Sequence, residues 1–469
     1  MSFDTVIRNG TAVIPAQGLR KVNLAIHEGK IAALLEPDES VSASSEIDAK
    51  GRFIFPGLID PHMHIGFVGQ PLTDVRSETR SAAIGGVTSI LNYILKPDSY
   101  RADYDEFLDH IDRLAYVDMG IHLGIFSSQH IAKIPHYIND LGVSSFKLFM
   151  SYKGNEGTAR GVGTTDEGLF YELLETIAGI PGAIVNVHTE NIEMIWRAEE
   201  EVKKQGLEGL AAHYAARPPV AEATAMMTAA FMSRSTDCPV YFVHMSCEES
   251  AREFASVRSS GSPVFIETTP HYLSLTIDSP CGLLAKVNPP VRKAKDVEAM
   301  WDAVKAGLVD TVGCDHSARF RADKEGGVWK AGSAFPGVGT MLSILLTEGY
   351  HRRGVSLQRI AEISSYNTAR IFNLYPRKGT IEVGSDADLA IVDLEKEMVV
   401  DAGYLQSRAD FSPWEGERLK GWSVQTLVRG ETVMKDGEIV GTEGFGEYLR
   451  RPPSSAIDLF AESRALARV

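Results

Sequence analysis

A chain of 469 residues is too long for one small domain and suits a large barrel with an appended module. Hydrophobic residues make up 44% and charged residues 23%, an ordinary globular composition that excludes disordered and fibrous classes. The formal charge of −15 argues against nucleic acid or an anionic membrane surface as partner, while leaving room for a local basic pocket.

The first fifty residues read as short strands and turns. Asp4-Thr-Val-Ile-Arg8 alternates, Asn9-Gly10 punctuates, and Thr11–Ile14 and Val22–Ile26 follow. No basic segment followed by an apolar core opens the chain, and no apolar run reaches the twenty residues of a membrane span. A soluble cytoplasmic protein is therefore expected, its scattered cysteines (Cys238, Cys247, Cys281 and Cys314) free in a reducing compartment.

From about Phe55 to Tyr375, short apolar runs alternate with helical patterns such as Phe170–Ala178, Glu190–Lys204 and Val297–Ala306. The runs are Gly57–Asp60, Thr88–Asn92, His122–Phe126, Ser145–Phe149, Ala183–His188, Val240–His244, Val264–Glu267 and Thr311–Asp315. Alternation of this kind implies parallel β/α units. Eight runs fit a (β/α)8 TIM-like barrel, and an open doubly wound sheet would give a similar pattern. The barrel is favoured because polar residues collect at the ends of many different strands. Strand-like texture returns in Ala387–Val392 and Ser423–Gly430, so both chain ends are expected to build one small β-domain.

The strand ends carry the chemistry. In Asp60-Pro-His-Met-His64 the two histidines are two apart, so on an extended segment both imidazoles point to one side and can share a divalent cation. His188 and His244 each close a run, and Asp315 closes another. At the mouth of a barrel such residues meet although far apart in sequence. Lys147 lies in the apolar run Ser145-Phe-Lys-Leu-Phe149, where three readings stand. It is an ammonium snorkelling to the rim or paired with a carboxylate, a desolvated amine acting as nucleophile, or a lysine carbamylated by carbon dioxide and able to bridge two metals. His110, His122, His130, His136, His213 and His351 read as surface or packing residues, His271 can line the pocket, and His316 and Asp60 neighbour the ligand set.

These motifs resemble the cyclic amidohydrolases, within them the dihydropyrimidinase and hydantoinase group. The resemblance runs through Gly57–His64, Ser145–Gly154, Val187–Asn191, Phe242–Cys247, Thr269–Leu273, Asn288–Arg292, Asp315–Ser317 and Leu374–Leu389, nearly the whole chain. It implies a barrel over 55–375, a β-sandwich from 1–54 and 376–445, and a tail, 446–469, that reaches a neighbouring subunit in a homotetramer. It further implies two divalent ions, zinc foremost, with His62, His64 and Asp315 on one, His188 and His244 on the other, and carboxylated Lys147 and a hydroxide bridging them. Asp315 would take the hydroxide's proton and return it to the leaving nitrogen, and Tyr152 would stabilise the oxyanion. Asn288 and Ser333 would contact the ring.

The implied activity is hydrolysis of a cyclic amide or imide of dihydropyrimidine or hydantoin type. Allantoinase or dihydroorotase chemistry is the alternative, and a non-catalytic dihydropyrimidinase-related interaction protein the third reading. Tyr152 favours the first, since allantoinases and dihydroorotases lack a tyrosine at the matching place. The chain departs from the group at Asn288, where serine is usual, at Ser333, where asparagine is frequent, and in the loop 65–72.

Overall fold

Eight parallel strands stand side by side in chain order: Leu58–Met63, Val87–Ile94, Asp118–Gly124, Ser145–Phe149, Ile184–His188, Val240–Phe242, Val264–Thr268 and Thr311–Val312. They belong to a computed structural model that describes residues 2–66, 72–97, 100–154 and 156–453. Every residue in these strands is buried. Parallel strands covered on both faces demand such continuous apolar runs. The sheet closes through His316, whose backbone N–H donates to the His62 carbonyl at 3.2 Å and whose carbonyl accepts from His64 N–H at 2.9 Å. The expected eight-stranded barrel is present.

Side-chain caps set where the covering helices begin. The helix Glu167–Ala178 starts where Asp166 accepts from Leu169 N–H at 2.8 Å, and buries Phe170, Leu173, Leu174 and Ile177 at helical spacing. Ile192–Gln205 starts after Asn191, which accepts from Met194 N–H at 3.1 Å, and ends at Gly206 with φ 68°. The expected start at Glu190 is displaced because that residue is drawn to His188 and Arg217. No helix among the described residues is long and apolar enough to cross a membrane, and the four cysteines are free.

Both chain ends form a nine-stranded, mostly antiparallel sheet. Its seam is Phe53–Pro56, which pairs in parallel with Phe3–Ile14 on one side and antiparallel with Leu389–Val399 on the other. A separate cluster including Ile7, Ile14, Leu24, Ile54, Leu389 and Leu427 packs within it. Gly57 alone separates the seam from the first barrel strand; a Cβ there would lie 2.2 Å from Thr88 Oγ1, so the junction has room only for glycine.

A buried ion cluster ties sheet to barrel. Lys378 Nζ is 2.6 Å from Asp118 Oδ2, 3.1 Å from Asp386 Oδ2 and 2.5 Å from Asp388 Oδ2. Arg429 pairs with Asp118 and donates its backbone N–H to Asp388 at 2.7 Å. Burial opposes the charge on Lys378, but Asp388, Asp118 and Asp386 outweigh it and hold the ammonium well above the ordinary lysine range. Of the tail, 446–453 lies on the chain's own barrel: Met119 N–H donates to Glu447 O at 2.9 Å, and the buried Arg451 donates to Ser145 Oγ at 3.0 Å. Residues 454–469, and 67–71 of the loop after His64, lie outside the described residues.

Candidate metal centre and active site

The C-terminal ends of the barrel strands surround a cavity of about 350 Å³. All nine residues expected from sequence, His62, His64, Lys147, Tyr152, His188, His244, Asn288, Asp315 and Ser333, line it. His62, His64 and Asp315 converge, with Asp315 Oδ1 at 3.3 Å from His62 Nε2 and 3.0 Å from His64 Nε2. His188 Nδ1 and His244 Nε2 face each other at 2.9 Å. Lys147 belongs to the same cluster: its Nζ lies 4.7 Å from the centre of the Tyr93 ring, which itself packs 4.7 Å from the ring of His62.

Neighbouring carboxylates orient the imidazoles. His62 Nδ1 sits 2.6 Å from Glu267 Oε1, which also accepts from His244 N–H at 2.9 Å. His188 Nε2 is 2.9 Å from Glu190 Oε2, and Arg217 grips that carboxylate with two N–H groups. Donation of Nδ1–H from His62 and of Nε2–H from His188 turns the opposite nitrogen's lone pair into the cavity. Asp60, fully buried, accepts from His62 N–H at 2.9 Å and Cys314 N–H at 3.0 Å, pinning the first strand to the eighth. Burial lifts its carboxyl to about 6. His316 places Asp315: its Nε2 meets Glu78 at 2.8 Å while Nδ1 accepts the N–H groups of Gly337 and Val338.

Burial pushes His64 down to about 4 and His188 and His244 below the usual imidazole range, so these rings are neutral. Burial opposes ionisation of Asp315, yet His62 and His64 hold it below the usual carboxylate range. Burial pushes Lys147 down to about 7 against the pull of Glu267 and Asp315. Its Nζ is buried with no hydrogen-bond partner, 4.7 Å from the Tyr93 ring centre, and His244 Nδ1 is likewise unpartnered. Neutral imidazoles and an ionised carboxylate with converging lone pairs form a donor set that fits divalent metal. Two of the donors, His244 and Asp315, hold left-handed backbone with φ of 45° and 49°, a conformation that costs free energy outside glycine and recurs at active sites.

The sequence profile of the amidohydrolase family matches residues 53–433. The chain belongs to the amidohydrolase family. This amidohydrolase is 34% identical over 468 residues to D-hydantoinase of Geobacillus stearothermophilus, covering 96% of this chain and 97% of that one. It is 32% identical over 462 residues to L-hydantoinase of Paenarthrobacter aurescens, with 96% and 98% covered. Among solved structures it is similar to the L-hydantoinase (dihydropyrimidinase) from Arthrobacter aurescens, TM-score 0.89 and 31% identity over 95% of this chain and 99% of that one. Dihydropyrimidinase from Brevibacillus agri follows at TM-score 0.87 and 29% identity, with 96% and 99% covered. The amidohydrolase thus falls in the dihydropyrimidinase and hydantoinase group, and its cluster of His62, His64 and Asp315 could hold a metal ion.

The pocket also holds residues that sequence reasoning missed, among them Phe149, Arg217, Lys286 and Arg319. Phe149 stacks on Tyr152 at 4.3 Å and 4°, fixing the tyrosine ring against the wall. His271 does not line the cavity; it is buried beside Phe335 and Tyr272. His122, also buried, bonds Ser145 Oγ at 2.5 Å and stacks on Tyr93 in the barrel interior. His213 steadies the pocket segment ending at Asn288 through an Nε2 contact of 2.9 Å to Val287 O.

Burial pushes His213 down to about 3. An unfolded histidine takes up its proton near pH 6.5, so this contribution is complete above that pH and is lost as pH falls toward 3. His213→Gln keeps an N–H donor without titrating. It is expected to flatten the acid limb of unfolding free energy by up to about 1.4 kcal/mol per pH unit. Urea unfolding of both proteins between pH 4 and 7 checks this; parallel curves would refute it.

Proposed function

We propose that this amidohydrolase opens a cyclic amide or imide ring of dihydropyrimidine or hydantoin type, releasing an N-carbamoyl amino acid or a related amide acid. The observation that carries the reading is the convergence of His62, His64 and Asp315 beside His188 and His244, in a cavity that the buried Lys147 and Tyr152 also line. Two divalent ions, zinc foremost with manganese or cobalt as substitutes, would be held by those residues. Lys147, carboxylated by carbon dioxide, would supply the oxygens shared between them. Bound there, the ions supply Lewis acidity and an acidified water.

The side chains do the rest. Asp315 stays ionised because two histidines face it, so it takes the water's proton and returns it to the leaving ring nitrogen. Tyr152, held by Phe149, donates its hydroxyl to the carbonyl oxygen as negative charge develops. Asn288 Oδ1, buried without a hydrogen-bond partner, accepts the ring N–H, and Ser333 completes that side. The enzyme would act in the cytoplasm as a homotetramer.

Metal-reconstituted protein assayed with dihydrouracil, hydantoin and allantoin tests the proposal. About two ions per chain and turnover of one of the first two rings are expected; no more than one ion after reconstitution, or allantoin clearly preferred, would overturn it. Tyr152→Phe is expected to lower kcat about a hundredfold with little change in KM, because the hydroxyl matters most in the transition state. An unchanged kcat would remove the tyrosine from the reaction.

A further inference from the structure

The protein carries a charge of −15, yet its cavity is lined by four cationic side chains, Lys147, Arg217, Lys286 and Arg319. The proposed metal centre employs Lys147, and Glu190 neutralises Arg217. Lys286 Nζ donates to the carbonyls of Val328 at 2.6 Å and Ala331 at 2.5 Å, groups that fix the ammonium without cancelling its charge. Lys324 lies behind it, donating to Lys286 O at 3.0 Å and Gly332 O at 2.9 Å. Arg319 is different. Its Nε is buried and without a hydrogen-bond partner, and no carboxylate pairs with it among the described residues. The three charges are close enough that Lys324, pushed down to about 7 mainly by burial, is lowered further by Arg319 and Lys286.

An arginine with a desolvated, unbonded N–H on a cavity wall is an incomplete ion pair. Glu156, the other acid on the lining besides Asp315, accepts from Trp196 Nε1 at 2.9 Å. Arg319 also lies four residues beyond Asp315 on the loop leaving the eighth barrel strand, and both residues line the same cavity. Its planar fork matches a carboxylate.

We propose that Arg319 is the specificity residue for a carboxylate on the substrate's exocyclic arm, so that the preferred substrate is a cyclic amide with an acidic substituent. This rests on the ring-opening reading above and adds the identity of the substituent. Hydrogen bonding to a charged partner in a desolvated site is expected to favour the acid over its neutral isostere by about tenfold or more.

The test compares 5-carboxymethylhydantoin with 5-carbamoylmethylhydantoin on the metal-loaded enzyme, by kcat/KM and by calorimetric affinity. Unsubstituted hydantoin serves as the reference ring. A preference of tenfold or more for the acid in the native enzyme, nearly abolished in Arg319→Met and partly kept in Arg319→Lys, is the expected result. Equal handling of the two arms, or a preference that survives Arg319→Met, would overturn the inference while turnover of plain hydantoin leaves the ring chemistry standing. Tighter binding of the acid with no ring opened would instead sink the reaction and retain the anion site.

Discussion

Replacing Lys147 with alanine is expected to lower turnover about 10³-fold or more and to release metal, with the barrel still folded. Lewis-acid stabilisation of developing charge is worth several kcal/mol, and each 1.36 kcal/mol is about a decade in rate. Stability should change little. The side chain is 0% exposed and its amine has no hydrogen-bond partner, so the native state carries a desolvation cost that alanine removes. The cavity left by the aliphatic stem offsets that gain, and metal-free unfolding free energies should agree within about 2 kcal/mol. Short carboxylic acids should restore part of both metal content and rate. Elemental analysis, kcat and chelated thermal unfolding check the three parts separately. A variant that keeps its ions and its rate would remove Lys147 from the centre.

Lys378→Met should lower stability by about 3–5 kcal/mol. It would leave Asp388 buried without a side-chain counter-charge, while Asp118 keeps Arg429 and Asp386 keeps Lys30 and Arg377. The three carboxylates together look like a cation site, and Lys378 Nζ already fills it. None of the cluster's residues lines the cavity, so kcat per folded molecule should hold. Urea midpoints of the two proteins decide the matter, and coincident midpoints would refute the clamp.

The proposed metal ligands were legible in the sequence because each sits on, or just beyond, a barrel strand whose pattern is local. His62 and His64 share a face by simple alternation, and His188 and His244 end apolar runs. Their supports were harder to read. Glu267 closes the run Val264–Glu267, and an acid in an apolar strand was a signal, but its partner His62 is 205 residues away. Lys286 and Arg319 reach the wall from loops after the seventh and eighth strands, where no periodicity constrains side-chain direction. The role of His213 depends on a carbonyl 74 residues on, a contact without any residue-type signature. Helix starts shifted by a few residues for a similar reason, since Asp166 and Asn191 choose the first turn by capping it.

The seam Phe53–Pro56 has a consequence for biosynthesis. One of its neighbours, Phe3–Ile14, leaves the ribosome before it, but the other, Leu389–Val399, follows only after the whole barrel has been made. Translation at about 5–20 residues per second therefore leaves the early strands with one unsatisfied edge for tens of seconds. A nascent chain in that interval offers backbone N–H and C=O groups to any passing strand. The order of synthesis thus leaves the N-terminal sheet in need of cover by holdase chaperones until Leu389–Val399 has been made.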